Sequence, residues 1–246
     1  MAEKLRKHIP SEFKFQPMKL KILGTRGKIE ASAPNHKNHT GFLLDSKILI
    51  DVGEPEYMKY DPEAIVFTHF HPDHAFFVAE KEKFAPKIPL FGPEPQEFLP
   101  DLKIISEMFR IGDYSFTPVP VIHALKLKSL GYIIEKNRKR IFITGDVAWI
   151  EKANLENLPK LDLIITEATF INKGGRINRK KNKIFGHTGI PNLIRLLGPL
   201  TKKIVFTHYG NWFFEDVEQS LQKLRSLQEE DGPDIIPGHD GMEIEI

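Results

Sequence analysis

The chain has 246 residues, 41% of them hydrophobic and 28% charged, with a formal net charge of +2 and no cysteine. This length suits one α/β domain with a large core, and so small a net charge does not by itself imply a nucleic-acid partner. The lack of cysteine excludes disulfides, thiolate metal sites and a cysteine nucleophile, and no apolar run is long enough to span a bilayer.

Residues 1–17 read as a polar N-terminal extension without the apolar stretch of a signal peptide, and residues 18–246 as a single domain of a cytoplasmic protein. Short apolar runs then alternate with Gly, Pro and charged residues. Strands are expected at 20–24, 41–44, 48–51, 65–68, 114–121, 131–135, 141–144, 161–166 and 204–207. Helices are expected after Asp73, from near Pro191, and over about 215–229. Pro191 suits a first helical turn, and Val217, Leu221, Leu224 and Leu227 recur near helical spacing.

The pentapeptide IVFTH occurs twice, at 65–69 and 204–208. Two further runs end in a similar way, IFITGD at 141–146 and LIITE at 163–167. Four apolar strands thus run through Thr into His69, His208, Asp146 and Glu167. One or two such ends are ordinary for strands that reach solvent. Four of them can bring ligand-type side chains to one rim, and the repeat suggests a fold of two related halves.

THFHPDH at 68–74 is the strongest motif. Side chains alternate along a strand, so His69 and His71 should point to the same side and bind one ion. Pro72 then turns the chain, so that Asp73 and His74 face a second ion. A His-rich surface turn is the ordinary alternative. Four ligand-type residues directly after an apolar strand favour the metal. His123 after PVPVI, Asp146 and His208 supply the remaining ligands. His69, His71 and His123 are assigned to the first ion, Asp73, His74 and His208 to the second, and Asp146 to both as a bridge. A position is left for a shared water, as a catalytic site requires. Imidazole and carboxylate ligands suit Zn²⁺ first, and also Mn²⁺ or Fe²⁺. Asp51, ending KILID, either orients a ligand histidine or caps a turn.

HFHPDH followed in order by His123, Asp146 and His208 resembles the metallo-β-lactamase superfamily. The resemblance runs from LGTRG at 23–27 to the C-terminal DGMEIEI. It implies an α/β fold, an αββα sandwich with two sheets face to face and helices outside. SLGYIIE after His123, TEATF at 166–170, GHTG at 186–189, FTHYG around His208 and DGMEI resemble ribonuclease Z and the phosphoribosyl cyclic phosphodiesterases. The resemblance to ribonuclease Z implies that Glu167 and His187 assist proton transfer near the leaving group. For His187, a capping or buried structural role before a helix is the alternative. It also suggests a homodimer.

The chain departs from these families in places. It has TEATF where ribonuclease Z usually has HEATF, no insertion between His74 and Asp146 long enough for a tRNA-binding arm, and no cysteines for an extra structural zinc. ALKLKSLGY follows His123 where glyoxalase-type thioesterases have TPG.

The reading is a hydrolase with two divalent ions about 3.5–4 Å apart that share a hydroxide. Asp73 and His187 act as catalytic residues and Glu167 orients His187. The substrate class is a phosphodiester, either a small cyclic phosphate or RNA or DNA. Lactones or thioesters are the alternative substrates, and a non-catalytic scaffold is disfavoured by seven ligand-type residues. KGGRINRKKNK at 173–183 is expected as a cationic loop beside the site, drawing in an anionic substrate, or as a solvated surface loop. His36, His39 and His239 receive no role.

Overall fold

The computed structural model describes residues 16–246, so the expected extension at 1–17 lies almost wholly outside the described residues. The strands are β1 (Lys19–Gly24), β2 (Gly41–Leu44), β3 (Ile48–Val52), β4 (Ala64–Val66), β5 (Leu90–Gly92), β6 (Leu102–Ile104), β7 (Phe109–Ile111) and β8 (Tyr114–Val121). They continue with β9 (Ser129–Lys136), β10 (Lys139–Ile143), β11 (Leu163–Ala168), β12 (Arg176–Lys180), β13 (Lys183–His187), β14 (Lys203–Tyr209), β15 (Asp234–Pro237) and β16 (Glu243–Glu245). The helices are α1 (Phe77–Glu80), α2 (Lys152–Glu156), α3 (Ile190–Leu197), α4 (Asn211–Phe214) and α5 (Val217–Arg225).

Two seven-stranded sheets face each other, in the orders β16-β1-β2-β3-β4-β5-β6 and β15-β14-β11-β10-β9-β8-β7. Alternation along the strands explains the layers. Ile48 and Ile50 point inward to meet Phe116, Tyr132, Ile141 and Ile143 of the other sheet. Between them, Leu49 and Ile65 point outward to pack with Phe77 of α1. On the second sheet Phe142, Ile164, Ile204 and Phe206 point outward under Leu193 of α3 and Leu224 of α5. Strands covered on both faces read as near-continuous apolar runs, which is why ILIDV, IFIT and IVFT look alike. The α/β sandwich expected from the resemblance is the observed fold. Among the described residues no helix is long and apolar enough to cross a membrane.

The two sheets repeat one pairing scheme. Read from β16, the first has three antiparallel pairs and then three parallel ones. Read from β7, the second does the same. The halves are therefore related, but the two IVFTH copies are not what relates them. By position in the ladder β4 corresponds to β11, and β14 corresponds to β5.

The structure revises several expected elements. β4 ends at Val66, so His69 and His71 lie in a loop and strand alternation does not align them. The helix after Asp73 is the single turn α1. α5 is shorter than expected: Asp216 caps its start by accepting from the Gln219 N–H at 3.0 Å, and it ends at Arg225. The expected loop at 173–183 is largely the antiparallel hairpin β12–β13. Because Phe116 is fully buried between the sheets, Phe116→Ala should cost about 3–5 kcal/mol in urea unfolding. A cost below about 1 kcal/mol would contradict the shared inter-sheet core.

Candidate metal centre

Several chain segments deliver side chains to one rim of the sandwich, and the backbone departs from regular strand where they do so. Asp51 sits at φ 58° within β3 and is fully buried. Its Oδ1 accepts the Thr68 N–H and its Oδ2 the Thr68 hydroxyl, both at 2.7 Å, which fixes the loop that follows β4. Gly145, at φ 62°, turns Asp146 inward from the end of β10. His208 sits at φ 53°, and its neighbours Thr207 and Tyr209 pair with the consecutive residues Glu167 and Ala168. His208 is thus the extra residue of a β-bulge, a common device for re-aiming a side chain beside a site.

The side chains form two groups that share Asp146. In the first, His71 Nδ1 lies 3.2 Å from His69 Nε2 and 3.0 Å from His123 Nε2. Asp146 Oδ2 stands 3.6 Å from His69 Nε2 and 3.5 Å from His123 Nε2. In the second, Asp73 Oδ2 lies 2.9 Å from His208 Nε2. Asp146 Oδ1 stands 3.2 Å from His74 Nε2 and 3.4 Å from His208 Nε2. Within each group the candidate ligand atoms all lie within 4.8 Å of one another. All seven expected ligands are therefore brought together, in the expected partition.

These residues fit a cation. His69, His74, His123 and His208 each engage the protein through Nδ1, with Thr68 Oγ1, Asp51 Oδ2, the Gly186 carbonyl and Thr169 Oγ1 as partners at 2.8–3.1 Å. Each therefore turns Nε2 to the centre. Thr68 donates its hydroxyl to Asp51, so it accepts from His69 Nδ1–H and leaves His69 Nε2 with a bare lone pair. Burial holds the His69, His71 and His123 imidazoles below their ordinary value, His71 at about 4. His71 Nδ1 carries at most one proton, so it can donate to only one of the His69 and His123 Nε2 atoms at 3.2 and 3.0 Å, whereas a cation among the three would satisfy all of them. Two nitrogens bound tetrahedrally to one ion at 2.0–2.1 Å are about 3.3 Å apart, close to this spacing.

In the second group, burial opposes charge on His74 and His208, but Asp146 and further carboxylates outweigh it and raise both. His74 Nε2 and Asp146 Oδ1 are buried without a well-aligned hydrogen bond. Buried polar atoms are rarely left so, and a cation that displaced the His74 proton would satisfy both.

Residues 55–209 match the model of the beta-lactamase superfamily domain. The chain belongs to the beta-lactamase superfamily. Metal-dependent hydrolysis is the coarse activity that this membership and the His/Asp groups carry together. No curated protein matches the chain. Solved structures share its fold at low identity. A diphosphatase of the PhnP family matches with TM-score 0.69 at 20% identity, covering 94% of this chain and 98% of the other. Unliganded yeast PDE1 matches with TM-score 0.66 at 16% identity, covering 94% and 100%. The short form of human tRNase Z matches with TM-score 0.58 at 16% identity, covering 92% and 98%.

In this member of the superfamily a carboxylate–imidazole pair stands beside the two groups. His187 Nδ1 lies 2.9 and 2.8 Å from the two oxygens of Glu167, and the Val147 N–H donates to Glu167 Oε1 at 2.5 Å. The His187 ring packs 4.6 Å from the His123 ring. With His71, Asp73, Asp146 and His208 it lines a cleft of about 190 Å³, where the exposed Lys28 also stands. His187 forms the end of β13, ahead of α3, so it is not the helix cap that its sequence position allows.

Other histidines stay apart. His36 is buried against Tyr209 and Phe213, bonds Thr25 Oγ1 at 3.0 Å and is pushed down to about 4 by burial. His39 pairs with Glu54 at 2.8 Å, and His239 faces the Asp240 carbonyl at 3.1 Å. Sequence reading passed over three contributors. Thr169, inside TEATF, fixes the His208 ring. The Gly186 carbonyl, inside GHTG, fixes His123. Gly27, inside LGTRG, lies so close to His208 that a Cβ there would fall 2.9 Å from the ring. All three sit in motifs that were visible, but the partner that gives each its role is distant in sequence.

Burial alone would lower His187, but Glu167 and Asp146 raise it from 6.5 to about 9. A raised imidazole contributes stability that is full below its unfolded value and is lost as pH rises through the folded one. In the metal-free protein, NMR titration should therefore place the His187 midpoint well above 6.5, and Glu167→Gln should bring it down. Stability should fall between about pH 6.5 and 9 more steeply in the parent than in the variant, because the raised His74 and His208 contribute to both. A parent midpoint at or below 6.5 would refute the pairing.

Proposed function

We propose that the chain is a phosphodiesterase that uses two divalent ions, zinc first among them, on a nucleic acid or a small cyclic phosphate. One observation carries the reading: Asp146 turns one oxygen to each of two His-rich groups. A carboxylate so divided is the geometry of a bridge between two cations. The likeness to a diphosphatase, to PDE1 and to tRNase Z supports phosphoryl chemistry. The hairpin β12–β13 supports an anionic substrate, since it carries Arg176, Arg179, Lys180, Lys181 and Lys183 out from the rim that holds His187.

His69, His71, His123 and Asp146 would hold one ion, and Asp73, His74, His208 and Asp146 the other. The ions would supply a nucleophilic water at neutral pH and stabilise charge on the phosphoryl oxygens. Burial raises the Asp73 carboxyl, but His208 and His74 outweigh this and hold it well below the usual range. Asp73 stays ionised, so it orients the attacking water as a hydrogen-bond acceptor. As the new P–O bond forms and the old one breaks, the departing alkoxide needs a proton. His187, charged at neutral pH through Glu167, stands in the cleft to give it.

Two experiments test this. Elemental analysis after saturation with Zn²⁺ or Mn²⁺ should find about two ions per chain. Asp146→Ala should weaken both sites, and His208→Ala mainly one. A single ion at saturation would sink the dinuclear reading. Separately, His187→Ala should keep its metal and lose about 10²–10⁴-fold on a diester with a poor alkoxide leaving group. The same variant should barely slow a diester that releases p-nitrophenolate, which needs little protonation. Equal slowing of both would remove His187 from the proton-transfer role. Turnover of a lactone or thioester but of no phosphodiester would overturn the substrate class.

A further inference from the structure

The segments that bring side chains to the candidate centre continue beyond it into a second groove. Ile122 precedes His123, Trp149 lies three residues past Asp146, and Lys183 and Ile184 precede His187 on β13. With Leu125 and Leu127 of the β8–β9 connection these residues line a groove of about 810 Å³. This is within the range of small-molecule sites. His187 and Lys183 are four strand residues apart, about 13 Å. A substrate reacting in the cleft could therefore lay its neighbouring unit along the hairpin and into the groove.

The lining has a mixed character. Trp149 is 37% exposed, one of the large apolar side chains that the described surface leaves open. By contrast Trp212 is part-buried and donates Nε1–H to the Ala168 carbonyl at 2.8 Å. The Trp149 backbone is held in place, since its N–H donates to the Ile122 carbonyl at 3.0 Å and its carbonyl accepts the Ile122 N–H at 2.8 Å. A partly exposed indole is thus presented on a fixed mount beside Ile122, Leu125 and Ile184. Lys126, Lys128 and Lys183 edge the same groove, against Glu94 and Glu151. Arg179, Lys180 and Lys181 add positive charge at the adjoining hairpin end. An apolar ring platform edged by cations complements a ligand that carries an aromatic ring next to a phosphate.

We infer that this groove is a second binding subsite, in which Trp149 stacks the base of a nucleotide unit flanking the scissile phosphodiester. Lys126, Lys128 and Lys183 hold that unit's phosphate. The inference rests on the phosphodiesterase reading for its link to catalysis, but the groove and its chemistry stand apart from the metal groups.

The test uses the metal-loaded full chain and two substrates with one leaving group. Thymidine 5′-(p-nitrophenyl phosphate) retains a base after cleavage, and methyl p-nitrophenyl phosphate does not. Trp149→Ala should raise KM for the thymidine substrate about tenfold and leave its kcat and the methyl substrate unchanged. Trp149→Phe should restore most of the loss. Lys126→Ala with Lys128→Ala, on an exposed connection, should weaken binding of oligothymidylate and flatten its salt dependence. In a Trp212→Phe background, oligothymidylate should quench Trp149 fluorescence.

Equal effects of Trp149→Ala on both substrates, or on neither, would overturn the subsite. So would a change of oligomeric state with KM unmoved, which would make the groove a contact between copies of the chain. If neither substrate is turned over, the phosphodiesterase reading fails, and the quenching measurement decides the groove by itself. Absence of quenching then overturns the inference, and quenching that Lys126→Ala with Lys128→Ala weakens supports it.

Discussion

The carboxylate of Asp146 is the constraint around which the rim is built. It is 2% exposed and surrounded by imidazoles, and its Oδ1 has no well-aligned hydrogen bond. An ionised carboxylate in such a place is costly unless positive charge compensates it. Burial pushes it toward protonation, yet His208 and His74 outweigh burial and hold it well below the usual carboxylate range. In the metal-free chain, charged imidazoles can supply that compensation at the second group only, because burial keeps His69, His71 and His123 neutral. The first group is thus set to accept a cation directly, whereas the second must give up protons to do so. Metal affinity should consequently rest more steeply on pH at the second group.

The repeated pairing scheme of the two sheets shows why a second carboxylate, Asp51, does different work. β3 and β10 occupy the same place in their sheets, and each leads to an aspartate at the rim. Asp51 accepts the Thr68 N–H, the Thr68 hydroxyl and His74 Nδ1–H. With its oxygens engaged by protein, it orients a histidine. Asp146 is turned off its strand by Gly145, and its Oδ1 faces only the His74 and His208 Nε2 atoms, so it can be shared with an ion once those rings are neutral. The same residue type at the same strand end is made a support in one half and a candidate ligand in the other, by its local partners.

Much of this was legible in the sequence because it depends on local pattern. Apolar runs marked β2 and β8 to the residue and most central strands to within two, since strands buried on both faces have little freedom in composition. THFHPDH, His123, Asp146 and His208 announced the candidate ligands through residue type. The short strands β5, β6, β7, β15 and β16 were not legible, because three or four residues carry too little periodicity and, except for β7 beside β8, their partners are a dozen or more residues away. The hairpin β12–β13 was hidden by its charge: RINRK and KIFGH pair through backbone ladders that tolerate exposed Lys and Arg. The expected alignment of His69 and His71 was right in outcome and wrong in cause. The loop that Asp51 fixes makes them converge, with His69 offering Nε2 and His71 offering Nδ1.

The hairpin also ties the metal groups to the surface that would meet substrate. Gly186 donates its N–H to the His123 carbonyl at 2.7 Å, and its own carbonyl accepts His123 Nδ1–H at 2.9 Å. The next residue is His187. One turnless stretch of β13 therefore sets the tautomer of a candidate ligand, carries the candidate proton donor and, four residues earlier, supplies Lys183 to the groove. Gly186 sits at φ 117°, and a Cβ there would collide with the Arg176 carbonyl. A side chain at this position would push β12 from β13 and displace His123 and His187 together. The cationic arm is thus not an appendage to the site, because its register with β12 is part of what holds two of the site's histidines in place.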